Sequence, residues 1–440
     1  MSGIGAMSSL LSLSMTNKLL AARSSGSITD YKGLVCVFLF GGNDSVNMLA
    51  PGRQGYADYL ATRGELGIPT SDMYRIKDGS DEYHLTKNMP GVHSMYNNGE
   101  VSFVANLGTL VQPTTLADYK KRSVALPYGQ FSHSDQQKQW QTSISGERGG
   151  LGWGGRMLDI LNDGANNNAT ASVSLSPWGP NSLQVGGNTS PLDLKGGAKT
   201  FSHKDLWRKG LDSSLEQQYE SVLQSHYNHQ RHRTIEEGEF FEKIESETEF
   251  ATEFPQTGLG KQLKQVAQYI KNQKGGSALS LGANRQTFFV GQSGYDQHGS
   301  GIDAHKDLLQ ELDQALVAFT RALKEIGYHD KVVTYTASDF GRSSSANAQG
   351  SDHGWGGHQL VMGGPVNGGH VFGDYPDIAL NTITDIGRGR LLPTTSVDEF
   401  NASLASWYGI QNNSEMETVI PNIRNFWSRG SNTLPINLFG

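Results

Sequence analysis

The sequence predicts an α/β fold in which an open sheet carries helices, and three observations support that reading. Runs rich in β-branched and aromatic residues, Leu34 to Phe40, Thr287 to Val290 and Val332 to Thr336, have the composition of buried strands. Each run gives way to a loop bearing glycine and a carboxylate, as happens at the carboxyl end of a strand in an open α/β sheet, where ligands bind. Between the second and third runs, Leu308, Leu309, Leu312, Ala315, Leu316, Phe319 and Leu323 recur at three- and four-residue intervals, the stripe of a helix packed on a core.

The chain has 440 residues, enough for one large domain or two or three smaller ones. Its net charge of −7 leaves no cationic footprint for nucleic acid. Cys36, the sole cysteine, lies inside the first strand and reads as a small core residue, so no internal disulfide exists. Residues 1–30 read as an export-signal remnant or an N-terminal helix. Leu10, Leu11, Leu13, Leu19 and Leu20 are interrupted by Asn17 and Lys18, too polar for a membrane span. Leu20, Ala21, Ala22 and Arg23 running into Ser24, Ser25 and Gly26 resemble the end of an export signal, although no basic segment precedes them. Export to the periplasm or the extracellular space is the expectation, with the cytoplasm as its alternative.

The first strand ends in Gly41-Gly-Asn-Asp-Ser-Val-Asn, where glycine permits a sharp turn and Asp44 is presented to hold a divalent cation or to make an Asx-turn. A further strand begins at Val101. Ser132, His133 and Asp135 open a stretch of helix formers, an N-cap signature; a helix N-terminus also attracts anions. Asp159 to Thr200 reads as loop, with a short strand around Ala171 to Leu175. Residues 201–275 have helical composition and read as an insertion or cap, in which His226, His229 and His232 lie on a solvated polar face among Arg231 and Arg233. After Val290 come Asp296 and His298, close enough to reach one metal ion. His305 opens the amphipathic helix. After Thr336 come Ser338, Asp339, Phe340, Gly341 and Arg342, then Asp352, His353, Gly354, Trp355, Gly356, Gly357 and His358, a glycine-rich loop able to wrap a metal.

Asp44, Asp296 and Asp339 with His298, His353 and His358 therefore form the candidate metal ligands. Mixed oxygen and nitrogen donors suit Zn²⁺ or Mn²⁺, one ion or two. Two ions can clamp the attacking and leaving oxygens of phosphoryl or sulfuryl transfer, with a serine hydroxyl or a metal-bound hydroxide as nucleophile. Arg342 is the candidate fork for the anion's remaining oxygens.

The motifs Gly41-Gly-Asn-Asp-Ser-Val-Asn, Ser132-His133, Gly294-Tyr-Asp-Gln-His, Ser338-Asp-Phe-Gly-Arg and Asp352-His-Gly-Trp-Gly-Gly-His resemble those of the bacterial domain-of-unknown-function family 1501, within the alkaline phosphatase and sulfatase superfamily. The resemblance runs from about Tyr31 to the C-terminus. It implies a three-layer sandwich with a mostly parallel central sheet, so that 31–440 form an alkaline phosphatase-like domain, and frequent export through twin-arginine signals. It also implies that Asp44 and Asp339 serve one metal and Asp296, His298 and His353 the other, with Ser132 as nucleophile and His133 beside it, Ser134 and Ser45 being the alternatives. Phe340 stands where phosphatases of that superfamily have a metal-binding histidine. The function implied is a metal-dependent hydrolase of phosphate or sulfate esters, acting on a small anionic ester or a sulfated or phosphorylated glycan. The alternatives are a non-catalytic binding or surface protein that retains the fold, and a metal-dependent phosphomutase.

Overall fold

The computed structural model describes residues 28–162, 170–195, 206–215, 221–273, 279–299, 301–347, 349–427 and 436–440. The stretch read as an export signal or N-terminal helix lies outside the described residues, apart from residues 28–30. A nine-stranded sheet runs through the molecule in the order Val371–Phe372, Val101–Gly108, Gly357–Met362, Val332–Ser338, Lys32–Phe40, Arg285–Ser293, Ser172–Ser174 and Leu192–Asp193, with Thr395–Ser396 also pairing to Val101–Gly108. Lys32–Phe40 is central and parallel to both neighbours, Val35 standing opposite Phe288 on one side and Thr334 on the other.

The central strand shows why the fold has three layers. Side chains alternate across a pleated strand. Val35, Val37 and Leu39 enter one hydrophobic core, whereas Leu34, Cys36, Phe38 and Phe40 enter another. A strand apolar on both faces must be covered on both. On the first face lie the helices Gly258–Lys271, through Leu263, Val266 and Ile270, and Gly301–Glu325, through Leu309, Leu312, Leu316 and Phe319. On the second lie Trp153–Leu161, through Trp153, Met157 and Leu161, and Val397–Tyr408, through Phe400, Leu404 and Tyr408.

The described part of the 201–275 stretch carries three helices, Leu206–Leu215, Val222–Glu247 and Gly258–Lys271, with a loop between the last two. Gly258–Lys271 is a layer helix, and Phe241 and Ile244 tie the preceding helix to the same core. His226 is exposed and His232 pairs with Glu236 at 3.3 Å, consistent with a solvated face. No described helix is long and apolar enough to cross a membrane.

Within this mostly parallel sheet Gly357–Met362 is antiparallel to both neighbours. A parallel return needs a crossover of roughly a dozen residues or more, usually a helix. The chain after Ser338 instead forms a small antiparallel ribbon, Arg342–Asn347 against Gly350–His353, and turns straight back. The loop therefore stays at the sheet rim where the strands Lys32–Phe40 and Arg285–Ser293 also end. A second, three-stranded sheet, Leu49–Pro51, Asp81–Thr86 and Met73–Asp78, packs beside the first.

Phe38 is fully buried, with ring centroids 4.6 Å from Phe40 and 5.9 Å from Phe289. Phe38→Ala should lower stability by about 3–5 kcal/mol in urea-induced unfolding. A loss below about 1 kcal/mol would show that the second core does not depend on this ring.

Candidate active site

Four segments meet at the carboxyl rim of the sheet. Gly41 and Gly42 follow the central strand with φ of 115° and 85°, in the left-handed region where glycine is at ease. A Cβ on Gly41 would collide with the Asp296 backbone nitrogen, and one on Gly42 would lie 2.5 Å from the Phe340 ring. The two glycines thus let three strand-end loops close on one another.

Asp339 is completely buried at the end of Val332–Ser338. Its Oδ2 accepts from His133 Nδ1 at 2.6 Å, Gln137 Nε2 at 3.0 Å and the Gly41 N–H at 3.2 Å. His133 is the first residue of the helix His133–Thr142, which Ser132 caps by accepting from the Asp135 N–H at 3.4 Å. The Nδ1 proton of His133 points to a carboxylate, so Nε2 of the neutral ring carries the lone pair; that atom is buried and has no protein hydrogen-bond partner.

His353 is arranged in the same way. Its Nδ1 donates to the Phe131 carbonyl at 2.8 Å, which leaves Nε2 to face His298 Nε2 at 3.0 Å and Asp296 Oδ1 at 3.4 Å. Phe131 has a positive φ of 66°, and Arg390 lies over its ring at 4.5 Å while donating to the His353 carbonyl at 2.9 Å. Phe340 packs on both imidazoles, with centroids 4.9 Å from His133 and 4.7 Å from His353. Donor atoms of His133, Asp296 and His353 all lie within 4.8 Å of one another. Two imidazole lone pairs and a carboxylate converging with the other ring nitrogens tied to oxygen acceptors are an arrangement that could hold a divalent cation. His298 flanks this group, with Nε2 3.0 Å from Asp296 Oδ1 and Nδ1 3.6 Å from Asp352 Oδ1.

The charges follow the geometry. The Asp339 hydrogen bond, acting against burial and helped by the charges of Asp339 and Asp296, holds the His133 pKa above its ordinary value of 6.5. Burial moves His353 the other way, despite its bond to the Phe131 carbonyl. Burial would raise Asp296, but the Arg342 hydrogen bond and charge, with His133 and His298, outweigh it and depress the carboxyl.

Several expected residues have other duties. Asp44 does not join Asp339: its Oδ2 is taken by the guanidinium of Arg63, a residue whose part the sequence did not disclose. His358 is likewise set apart. It lies inside the strand Gly357–Met362, its Nδ1 accepts the Asn106 N–H at 3.1 Å, its ring stacks on Tyr375 at 4.6 Å, and burial lowers its pKa to about 3. Arg342 is not an open fork. Nη1 donates to Asp296 Oδ1 at 2.8 Å and to the Gly41 carbonyl at 3.1 Å, Nη2 to the Ser351 carbonyl, and the side chain is sealed from solvent. Gln137 and Phe131 were also missed; a helix-face glutamine and a carbonyl acceptor carry no motif.

A family model described as "Protein of unknown function (DUF1501)" matches residues 31–420. No curated protein matches the sequence. Among solved structures, the soluble domain of lipooligosaccharide phosphoethanolamine transferase A from Neisseria meningitidis aligns at 10% identity over 91% of this chain and 94% of its own, with a TM-score of 0.38. A protein in the alkaline phosphatase superfamily from Vibrio parahaemolyticus aligns at 10% identity over 92% and 76%, with a TM-score of 0.35. A sulfatase from Pseudoalteromonas sp. aligns at 10% identity over 92% and 72%, also with a TM-score of 0.35.

A raised His133 pKa means that its contact with Asp339 stabilises the metal-free fold in full below pH 6.5, and that this contribution is lost as pH rises through the folded-state pKa. The depressed Asp296 behaves in the opposite sense, contributing above 3.8 and losing that contribution as pH falls through its folded-state value. In the metal-free protein, an NMR titration should place the His133 midpoint above 6.5 and Asp339→Asn should bring it down; an unchanged midpoint in the variant would mean that Asp339 does not set it.

Proposed function

The chain belongs to the DUF1501 family of proteins of unknown function, and we propose that it is a metal-dependent hydrolase of phosphate or sulfate esters. The observation that carries this reading is the convergence of the His133 and His353 Nε2 atoms on Asp296 while both Nδ1 atoms are held by acceptors. Those three residues would hold one divalent cation, with His298 and Asp352 at its open side. The mixed nitrogen and oxygen set favours Zn²⁺ or Mn²⁺ over Mg²⁺. Bound there, the ion would act as a Lewis acid on the ester's anionic group.

The protein's own groups supply the rest. Asp339 and the Phe131 carbonyl orient the two imidazoles, and Phe340 excludes water from behind them. Arg342 keeps Asp296 ionised and fixes it against the Gly41 loop. Ser132 is the proposed nucleophile: its hydroxyl sits at the N-terminus of a ten-residue helix, beside His133, where the helix dipole favours an anion. A bond from Ser132 Oγ to phosphorus or sulfur forms as the bond to the ester oxygen breaks; the departing alcohol takes up a proton, the serine's proton passes to solvent, and water then releases the anion from the serine. A small anionic ester or a sulfated or phosphorylated glycan fits this chemistry.

The purified protein should contain a divalent metal and turn over an aryl phosphate or aryl sulfate. Chelation, Asp296→Asn and His353→Ala should each abolish that turnover, and Asp339→Asn should lower it roughly 10- to 100-fold, the usual effect of removing an orienting partner. Equal turnover before and after complete metal removal would sink the proposal, and undiminished turnover in Ser132→Ala would transfer the attack from Ser132 to water.

A further inference from the structure

The family resemblance implies two cations, one of them on Asp44 and Asp339, and the residues around those two carboxylates do not fit that ion. Asp44 is nine-tenths buried and paired with Arg63, which is wholly buried. Arg63 is held from its other side, Nη1 donating to the Ser343 carbonyl at 3.0 Å and the Ser344 carbonyl at 3.4 Å. A guanidinium so anchored cannot swing away to admit a metal without leaving a buried charge unpaired. Asp339 spends Oδ2 on three donors, the shortest of them His133, so that only Oδ1, buried without a protein partner, is left to it. Among the described residues, the donors that come together within the 4.8 Å span are His133, Asp296 and His353, with His298 Nε2 3.0 Å from both His353 Nε2 and Asp296 Oδ1, and neither Asp44 nor Asp339 belongs to the group of three.

Behind Asp296 the same substitution recurs. Arg342 Nη1 lies 2.8 Å from Asp296 Oδ1 and bridges it to the Gly41 carbonyl. Beside Asp44 lies a cavity of about 10 Å³, whose lining includes Gln297, His305 and Ser351. Asp44 Oδ1 and His305 Nδ1 are both buried without a protein partner. Because His305 Nε2 donates to Asn43 Oδ1 at 2.9 Å, the Nδ1 of the neutral ring is an acceptor. Two acceptors around a cavity of this size match the two protons of one water molecule. Burial lowers the His305 pKa to about 4; the Asp44 carboxylate acts against that shift, and the Arg63 and Arg342 guanidiniums add to it, offsetting the attraction that Asp44 would exert on a further cation.

We infer that the site binds a single divalent cation, and that Arg63 and Arg342 stand as permanent cations where a second metal would otherwise neutralise the rim carboxylates. The inference rests on the metal-binding reading above and sharpens it. Full-length protein, stripped and reloaded with Zn²⁺ or Mn²⁺, should retain one equivalent in elemental analysis after desalting and show one binding event in calorimetry. Asp44→Asn should still bind one equivalent with affinity within about twofold of wild type, whereas Asp296→Asn should retain none. If Asp44→Asn does not fold, the double variant Asp44→Asn/Arg63→Met, which removes both charges together, takes its place. Two equivalents in wild type, or loss of the ion from a folded Asp44 variant, would overturn the single-cation inference and leave the metal site standing. No bound equivalent in wild type would instead defeat the metal reading itself, and this inference with it.

Discussion

The bond between Asp339 and His133 is the contact on which the site depends. Asp339 is sealed from solvent, and a buried carboxylate without donors would cost several kcal/mol or shift to its neutral form. Its three donors come from two places: an imidazole and an amide on the helix His133–Thr142 and a backbone N–H at Gly41. One carboxylate thereby locks the helix N-terminus to two adjacent strand ends and fixes which nitrogen of His133 is free. The Phe131 carbonyl does the same for His353 from the residue just before that helix's cap. The helix entry therefore determines both imidazoles, one through its own side chain and one through its backbone.

The sheet explains why such distant residues meet. Lys32–Phe40, Arg285–Ser293 and Val332–Ser338 are adjacent and parallel, so their carboxyl ends deliver Gly41, Asp296 and Asp339 to one rim. The antiparallel return of Gly357–Met362 adds His353 to that rim without a crossover helix. A parallel strand in its place would have required the chain to travel to the far edge first, and the glycine-rich loop would have been lost to the site.

Much of this was legible in the sequence. The three central strands announced themselves by their β-branched and aromatic runs, because a strand buried on both faces has few other compositions available. Asp296, Asp339 and His353 stood out because polar groups directly after such runs are placed at the rim by the fold itself. His358 misled for a related reason: within Asp352-His-Gly-Trp-Gly-Gly-His the loop ends at Gly356, and from Gly357 onward the chain is already strand. Glycine-rich composition does not show where a loop stops. Asp44 misled differently. Its partner Arg63 lies at the end of the helix Arg53–Arg63, and only folding that helix back on the rim reveals the pair. Arg342 read as an anion fork because sequence shows the charge and not the carbonyls that consume it. The three-stranded side sheet was not foreseen, since Leu49–Pro51 is too short to show any period.

The exposure of the three converging donors separates their roles. Asp339 and Phe340 back the two imidazoles with a buried carboxylate and an apolar ring, while the Asp296 and His298 side chains are both 47% exposed. An exposed carboxylate would ordinarily be free to turn away, but Arg342 holds one Asp296 oxygen from the buried side and leaves the group facing outward. The rigid wall of the site is thus the helix entry and the strand end of Asp339, and the open wall is the Asp296–His298 turn. An anionic ester approaching from solvent would meet the site on that open wall, where the field of a buried guanidinium stands behind an ionised carboxylate.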